Sequence, residues 1–407
     1  MVGLVRGYYV CGGGAMSKFE VEPLLDKYPD ARYYFLLGGR GCGKTYPTLK
    51  KAIQDAIDGE GVFAYVRRYK ESLVESDMRD LAAPHGIGSE TSWIDEYTDG
   101  KYNKVGYYRR YWYLERWEKN EDGELRRVAR NPVPIGRALA LNTWETDKGA
   151  DFGSDKNGVA NIILDEALSA GGNYLRDEWT MFQNVISSLV RNNWQKDTKI
   201  WMLANPVSKY GGSYLKNLGI TKKMMQTFGT TLIEYPDEHG KPSGMSSVFV
   251  YIKPAADDEE SIDSDATNTY NTFFAFSASA GKSRALTHGF WEMDQATLLD
   301  SGIYLESDKS RTIYLTMDEE LLAVDFMRYK KTGVHYLFIR PAARIRDRCY
   351  FVTLESSLSR YAVIAFGSHP ITDAFKKIYL TNQVYYADLS SADIFHAFMR
   401  ACKNHAV

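Results

Sequence analysis

The sequence predicts an α/β protein in which parallel strands covered by helices surround a phosphate-binding glycine loop, with a linker and a smaller α+β domain behind it. Three observations carry this reading. "FLLGGRGCGKTY", Phe35 to Tyr46, places a glycine-rich loop between an apolar strand and the start of a helix. "NIILDE", Asn161 to Glu166, delivers two carboxylates at the end of an apolar run. Strand-like and helix-like stretches alternate through the first part of the chain, the pattern of a parallel sheet with helical crossovers.

The 407 residues suit two or three domains, and 44% hydrophobic with 25% charged residues is an ordinary soluble composition. No apolar run reaches the roughly 18 residues that a membrane span needs, so no membrane partner is expected. The opening "MVGLVRGYYVCGGGAM" has neither a charged n-region nor a proper apolar core, so secretion is discounted. Cys11, Cys42, Cys349 and Cys402 are scattered without metal-ligand spacing, and a reducing cytoplasm fits them. The net charge of −2 is less basic than most free-standing nucleic-acid binders, so a DNA partner would need positive charge concentrated locally, as in the pore of a ring.

Residues 1–29 read as a flexible leader and a short helix in "FEVEPLLDKYPDA". Residues 30–245 read as the phosphate-binding domain. Within it, "TLKKAIQDAIDGEG" has helical spacing and a glycine stop, and "VFAYVRRYKESL" is a second strand ending in basic residues. "YNKVGYYRRYWYLERWEKNEDGELRRVA" alternates aromatic and charged residues around "EDGE" and reads as a hairpin. Its rings resemble a stacking surface for bases, but a sheet with one buried face explains the period better. "TKIWMLANPVSKYGG" is a further strand ending at Asn205-Pro206. Residues 246–299, with the acidic "KPAADDEESIDSDATNT", read as a linker. Residues 300–407 carry "RTIYL", "VHYLFIR", "RCYFVTL" and "RYAVIAF", expected as hairpin-connected strands, and end in the helical "SADIFHAFMRACK".

The glycine loop is the P-loop pattern. Gly38, Gly39, Gly41 and Gly43 let the backbone wrap a phosphate, with Arg40, Cys42 and Tyr46 in or beside the loop. Lys44 is placed for the β- and γ-phosphates of ATP and Thr45 for Mg²⁺. In "NIILDE", Asp165 is placed to hold Mg²⁺, directly or through water, and Glu166 to polarise an attacking water. The long separation between Lys44 and Asp165 leaves room for a strand–helix unit and an inserted hairpin, as in ring-forming ATPases with an additional strand. An acidic pair suits hydrolysis, whereas a small-molecule kinase would not need the glutamate.

Other residues are less decided by their surroundings. Arg191, after the helical "NVISSLV", is either a solvated helix-end arginine, the reading its surroundings favour, or an arginine that neutralises charge on a ring neighbour's transferred phosphoryl group. Asn205 is either a polar sensor near the γ-phosphate or a turn residue before proline. Arg67, Arg68 and Lys70 reach phosphates or are solvated, with nothing local to choose between them. Lys216, Lys222 and Lys223 form a charge cluster able to touch DNA phosphates at a pore. The seven histidines stand too far apart to form a nucleophile–base pair or a metal cluster.

"GGRGCGKTY", "FAYVRRYKESL", "NIILDEAL", "SSLVRNNW", "WMLANPVSKY" and "TLIEYPDE", in this order over residues 30–236, resemble the double-stranded-DNA packaging ATPases of small podoviruses, the Picovirinae. The resemblance implies a terminase-like ATPase domain of the additional-strand, RecA-like type. It implies a homo-oligomeric ring, a pentamer, docked in the host cytoplasm on the portal of a procapsid. There ATP hydrolysis would drive double-stranded DNA inward, and a packaging RNA between ring and portal is left open. It makes Arg191 a trans-acting arginine finger and Lys70 a second basic group toward a neighbouring nucleotide. It also implies an RNase H-like carboxyl-terminal domain. Asp325 and Asp388 are its strand-associated carboxylates, too few for a two-metal nuclease, so no nuclease activity is expected. Two rivals share the nucleotide motifs: a ring helicase or recombination-type ATPase, and a structural docking ring that nucleotide only stabilises.

Overall fold

The computed structural model describes residues 4–6, 19–39, 42–82, 92–145, 158–169, 174–175, 177–190, 197–206, 213–237 and 239–253 of the amino-terminal part. Of the remainder it describes residues 299, 301–317, 320–346, 349–353, 359, 361–364, 370, 373, 375 and 384–405. The chain divides into two compact units. The first contains residues 1–167, 177–205 and 213–258, and the second contains 168–176, 206–212 and 259–407. Of the expected 246–299 linker, residues 246–251 belong instead to a strand of the first unit's sheet, and the acidic stretch beyond residue 253 lies outside the described residues.

The first unit is built on one sheet of eleven strands. In chain order its elements are β1 (Leu4–Arg6), α1 (Glu22–Lys27), β2 (Tyr33–Leu37), α2 (Thr45–Ile57), β3 (Val62–Arg67), α3 (Glu75–Leu81) and α4 (Trp93–Tyr97). Then follow β4 (Lys104–Tyr108), β5 (Tyr111–Lys119), β6 (Leu125–Arg130), β7 (Gly136–Ala140), β8 (Val159–Leu164) and α5 (Glu178–Val190). β9 (Lys199–Ala204), α6 (Ser213–Asn217), β10 (Gly229–Pro236) and β11 (Pro242–Tyr251) complete it. The order is β1-β10-β11-β2-β9-β8-β3-β7-β5-β4, with β6 on β5. The run from β11 to β7 is parallel throughout. β11 passes residue 245 and pairs along its last five residues with the P-loop strand β2.

The parallel strands read as continuous apolar runs because both of their faces are covered. β2, β3 and β8 have all or nearly all of their residues buried. Between the P-loop strand β2 and the acidic strand β8 lies β9, a strand that comes after Asp165 in the chain, while the long Lys44–Asp165 separation holds the strand β3 with its helices and the inserted β4–β5–β6 hairpins and β7. α2 buries Thr48, Leu49, Ala52 and Ile53, a helical stripe laid on the sheet. The stacked pair Tyr34–Trp201, ring centroids 4.5 Å apart, lies beneath. Buried Asn161 accepts from Trp201 Nε1 at 2.9 Å and donates to Asp55 of α2 at 2.8 Å, so it ties strand, core and helix together.

The aromatic hairpin follows the one-buried-face reading. Trp112 and Leu114 of β5 are buried, while Tyr111 and Tyr113, which alternate with them, are partly exposed. Its first turn falls at Arg109 and Arg110, both with positive φ (49° and 69°), where a two-residue hairpin needs left-handed backbone. The "EDGE" turn joins β5 to β6.

The second unit contains α7 (Ser301–Leu305), β12 (Ser307–Met317), β13 (Glu320–Tyr329), β14 (His335–Pro341), β15 (Phe351–Thr353), β16 (Ala362–Ile364), β17 (Val384–Tyr386) and α8 (Leu389–His405). Its six-stranded sheet has the order β16-β15-β12-β13-β14-β17. The expectation of hairpin-connected strands holds for the antiparallel β12–β13–β14. It fails for β15 and β16, which add in parallel beyond β12, and for β17, parallel to β14. A parallel neighbour cannot be reached through a tight turn, so these strands need crossovers. Phe395 and Phe398 of α8 bury against Leu315, Val324 and Ile339 in this unit's core.

Replacing Asn161 by Ala strands the Trp201 N–H in the core and should lower stability by about 1–3 kcal/mol. Urea denaturation should also find part of that loss removed when Trp201→Phe is added, since the donor is then gone.

Candidate nucleotide site at the carboxyl edge of the parallel strands

The ends of β2, β9, β8 and β3 lie side by side, so the segments that follow them meet at one edge, where open α/β sheets bind ligands. After β2 the chain turns at Gly38, whose N–H donates to Ala204 O at 3.1 Å. A Cβ on Gly38 would lie 2.6 Å from Cys42 Sγ, and Gly43 has φ of +88°. Both positions therefore require glycine. Lys44 is only 8% exposed. Its Nζ donates to Gly38 O (2.9 Å), Gly39 O (3.1 Å) and Asn205 Oδ1 (2.7 Å). These acceptors are neutral oxygens that a phosphate oxygen can replace. α2 starts at Thr45 without a side-chain cap, leaving its first N–H groups and positive dipole end for an anion. The residues present fit a bound phosphate. Tyr46 is 36% exposed, and burial raises its hydroxyl pKa. Arg40 and Gly41 lie outside the described residues.

Asp165 follows β8, and its N–H continues the ladder to Val66 O at 3.0 Å. Its Oδ2 accepts from the Tyr65 hydroxyl and pairs with Arg67 at 2.9 Å, while Oδ1 accepts from Glu166 N at 3.0 Å. The same guanidinium reaches Glu166 Oε2 at 3.0 Å. Arg67 thus bridges both carboxylates of the acidic pair, and its Nε is buried with no hydrogen-bond partner among the described residues. Burial first, then the Asp165 charge, pushes the Tyr65 hydroxyl far above its usual range, so it stays a donor. Glu166 has φ of +58°, a left-handed backbone that is uncommon for a residue other than glycine. Its carboxylate is about half exposed.

Arg68 points the other way, as successive side chains of a strand do. It pairs with both oxygens of Glu178, at 2.7 and 2.9 Å. The terminal nitrogen also donates to the carbonyls of Glu166 (3.1 Å) and Ala167 (3.2 Å). Tyr214 donates to Glu178 Oε1 at 2.7 Å, and all three side chains are buried. Neither Glu178 nor Tyr214 is conspicuous in the sequence, because an acidic residue opening a helix is ordinary.

The remaining candidates spread out from this centre. Asn205 meets Lys44 directly. Lys70 is exposed, and its backbone N–H donates to Asn142 Oδ1 at 3.0 Å. Arg191 lies outside the described residues, directly after the end of α5. Lys216 on α6 and Lys223 beyond it are exposed, and Lys222 is half-buried. In the second unit, Asp325 is fully buried and paired with Arg340 at 2.9 Å. Asp388 caps α8 by accepting from Ser391 N at 2.7 Å. Among the described residues, no group of three or more His, Cys, Asp or Glu is placed to hold a metal ion.

With Arg67 on the acidic pair, a divalent ion must compete with a guanidinium. Arg67→Gln should tighten nucleotide-free Mn²⁺ binding about fivefold, the equivalent of the ~1 kcal/mol of an ion pair whose Glu166 end is half exposed. Titration followed by electron paramagnetic resonance reads this directly, and unchanged or weaker binding contradicts the competition.

No protein-family model matches the chain. The DNA packaging proteins of Bacillus phage phi29 and Bacillus phage PZA are each 26% identical to it over 209 residues, 50% of this chain and 52% of theirs. The chain thus spans about half the length of the curated relatives it matches. Among solved structures, the bacteriophage phi29 viral genome packaging motor assembly contains a chain with a TM-score of 0.51 at 16% identity, covering 94% of this chain and 99% of that one. In sequence over half its length the chain is similar to the phi29 and PZA DNA packaging proteins, and in fold over nearly all of it to a chain of the phi29 packaging motor assembly, in keeping with the resemblance its motifs carry.

Proposed function

We propose that this protein is an ATP-driven viral genome packaging motor that moves double-stranded DNA into a procapsid. The observation that carries the proposal is the junction of loop and acidic pair. Lys44, held by Asn205 at the end of β9, lies one strand away from Asp165 and Glu166 at the end of β8. Similarity to the phi29 and PZA packaging proteins supports the choice among P-loop activities.

The chemistry is transfer of the γ-phosphoryl group to water. Lys44 and the N–H groups opening α2 bind the triphosphate, and Asn205 orients the ammonium. Glu166 accepts the proton as water oxygen bonds to the γ-phosphorus and the bond to the β–γ bridging oxygen breaks. Thr45 and Asp165 are the residues that would hold Mg²⁺, whose charge would stabilise the leaving diphosphate. Arg191 of a ring neighbour supplies a further positive charge to the transferred group, with Lys70 as a second basic group, and Gly38 to Tyr46 enclose the nucleotide. Lys216, Lys222 and Lys223 touch DNA phosphates, which makes movement independent of sequence. The ring is a pentamer docked on the portal in the host cytoplasm, and a packaging RNA between ring and portal is left open.

The second unit is read as an RNase H-like domain without nuclease activity. An antiparallel β12–β13–β14 meander extended by parallel β15 and β16 supports that fold. The absence of cutting is supported by what the two candidate carboxylates do: Asp325 neutralises Arg340, and Asp388 caps a helix.

Steady-state ATPase, with and without duplex DNA and portal-bearing procapsids, tests the proposal. DNA and procapsids together should stimulate turnover, and doping with Arg191→Ala should reduce it more steeply than in proportion to the mutant fraction. A linear loss, or no stimulation, contradicts a ring with catalysis across subunits.

A further inference from the structure

Arg68, Glu178 and Tyr214 join three segments that the proposed function keeps apart: the turn carrying Glu166, the start of α5, and α6 with Lys216. Arg68 donates to the two carbonyls that follow Asp165, at 3.1 and 3.2 Å, so it holds the main chain of Glu166 in its left-handed conformation. A side chain at φ of +58° persists only where its surroundings over-determine it. The guanidinium is itself fixed by two bonds to Glu178, the first residue of α5. Glu178 takes a further bond from Tyr214, which is fully buried and packs edge-on against Trp179 and Phe182 of α5. Two residues beyond Tyr214, Lys216 is exposed.

We propose that Arg68 is a positioning residue for Glu166, and that the Arg68–Glu178–Tyr214 cluster transmits the state of the Glu166 turn to the Lys216–Lys223 segment. A turn of Glu166 out of its left-handed conformation moves two carbonyls away from Arg68. The guanidinium and Glu178 must then re-pair, and the Tyr214 hydroxyl, bonded to the same carboxylate, moves α6 with it. By linkage, a nucleotide that changes DNA affinity must have its own affinity changed by DNA by the same factor. This inference rests on the packaging reading, since it requires Lys216–Lys223 to meet DNA.

Tyr214→Phe removes only the hydroxyl and keeps the ring contacts. Fluorescence anisotropy of a labelled DNA duplex, with the full chain held in a slowly hydrolysed ATP analogue or in ADP, gives the ratio of the two DNA dissociation constants. Wild type should show a ratio of about fivefold or more, the lower end of ordinary couplings. Tyr214→Phe should bring it below about twofold, with basal ATPase close to wild type and a cooperative melt at a moderately lower temperature, since a buried carboxylate loses one hydrogen bond. Arg68→Lys keeps a cation for Glu178 but cannot reach both carbonyls, so it should lower kcat at least about tenfold with little change in ATP affinity. A wild-type ratio that survives in Tyr214→Phe overturns the transmission alone. No dependence on nucleotide in wild type overturns the packaging reading and this inference with it.

Discussion

A carboxylate delivered at the end of a buried strand must be neutralised where it stands, and the first unit is organised around that constraint. An uncompensated buried charge costs several kcal/mol. Asp165 is answered by Arg67 and Tyr65, and Glu178 by Arg68 and Tyr214. The two arginines leave consecutively from the end of β3, Arg67 to one side of the sheet and Arg68 to the other, while Tyr214 comes from α6. One strand end therefore fixes the acidic pair at the edge of the sheet and also the helix that leads toward Arg191.

The glycine loop works under a different limit. Lys44 is buried, yet its ammonium rests on neutral oxygens of Gly38, Gly39 and Asn205, partners that a triphosphate can displace. The bridging of Asp165 and Glu166 by Arg67 is the corresponding arrangement on the acidic side. Both halves of the site hold their charges ready on internal partners. Binding then exchanges one set of polar contacts for another, without exposing a bare charge.

Much of this was legible in the sequence because it is local. The apolar run Ile162–Leu164 announces a covered strand, and a glycine-rich loop between strand and helix announces its backbone. The separation of Lys44 from Asp165 announced a strand–helix unit and an inserted hairpin, which β3 with its helices and β4–β5–β6 supply. What could not be read were partners distant along the chain. Nothing near Arg67 or Arg68 says that one meets Asp165 and the other Glu178, since that depends on β3 lying beside β8. The sheet of the second unit escaped in part for the same reason. β15 and β16 are three-residue strands whose parallel pairing is set by crossovers, and no turn signal marks it.

The central claim is that the P-loop and the acidic pair form one hydrolytic site, with Glu166 acting on water. Measuring ATP affinity and turnover of Glu166→Gln on the same preparation tests it most directly. The account predicts binding within about threefold of wild type and turnover lower by about 10²–10⁴, the range for loss of a general base. Turnover that stays near wild type, or falls only as far as binding does, would contradict it.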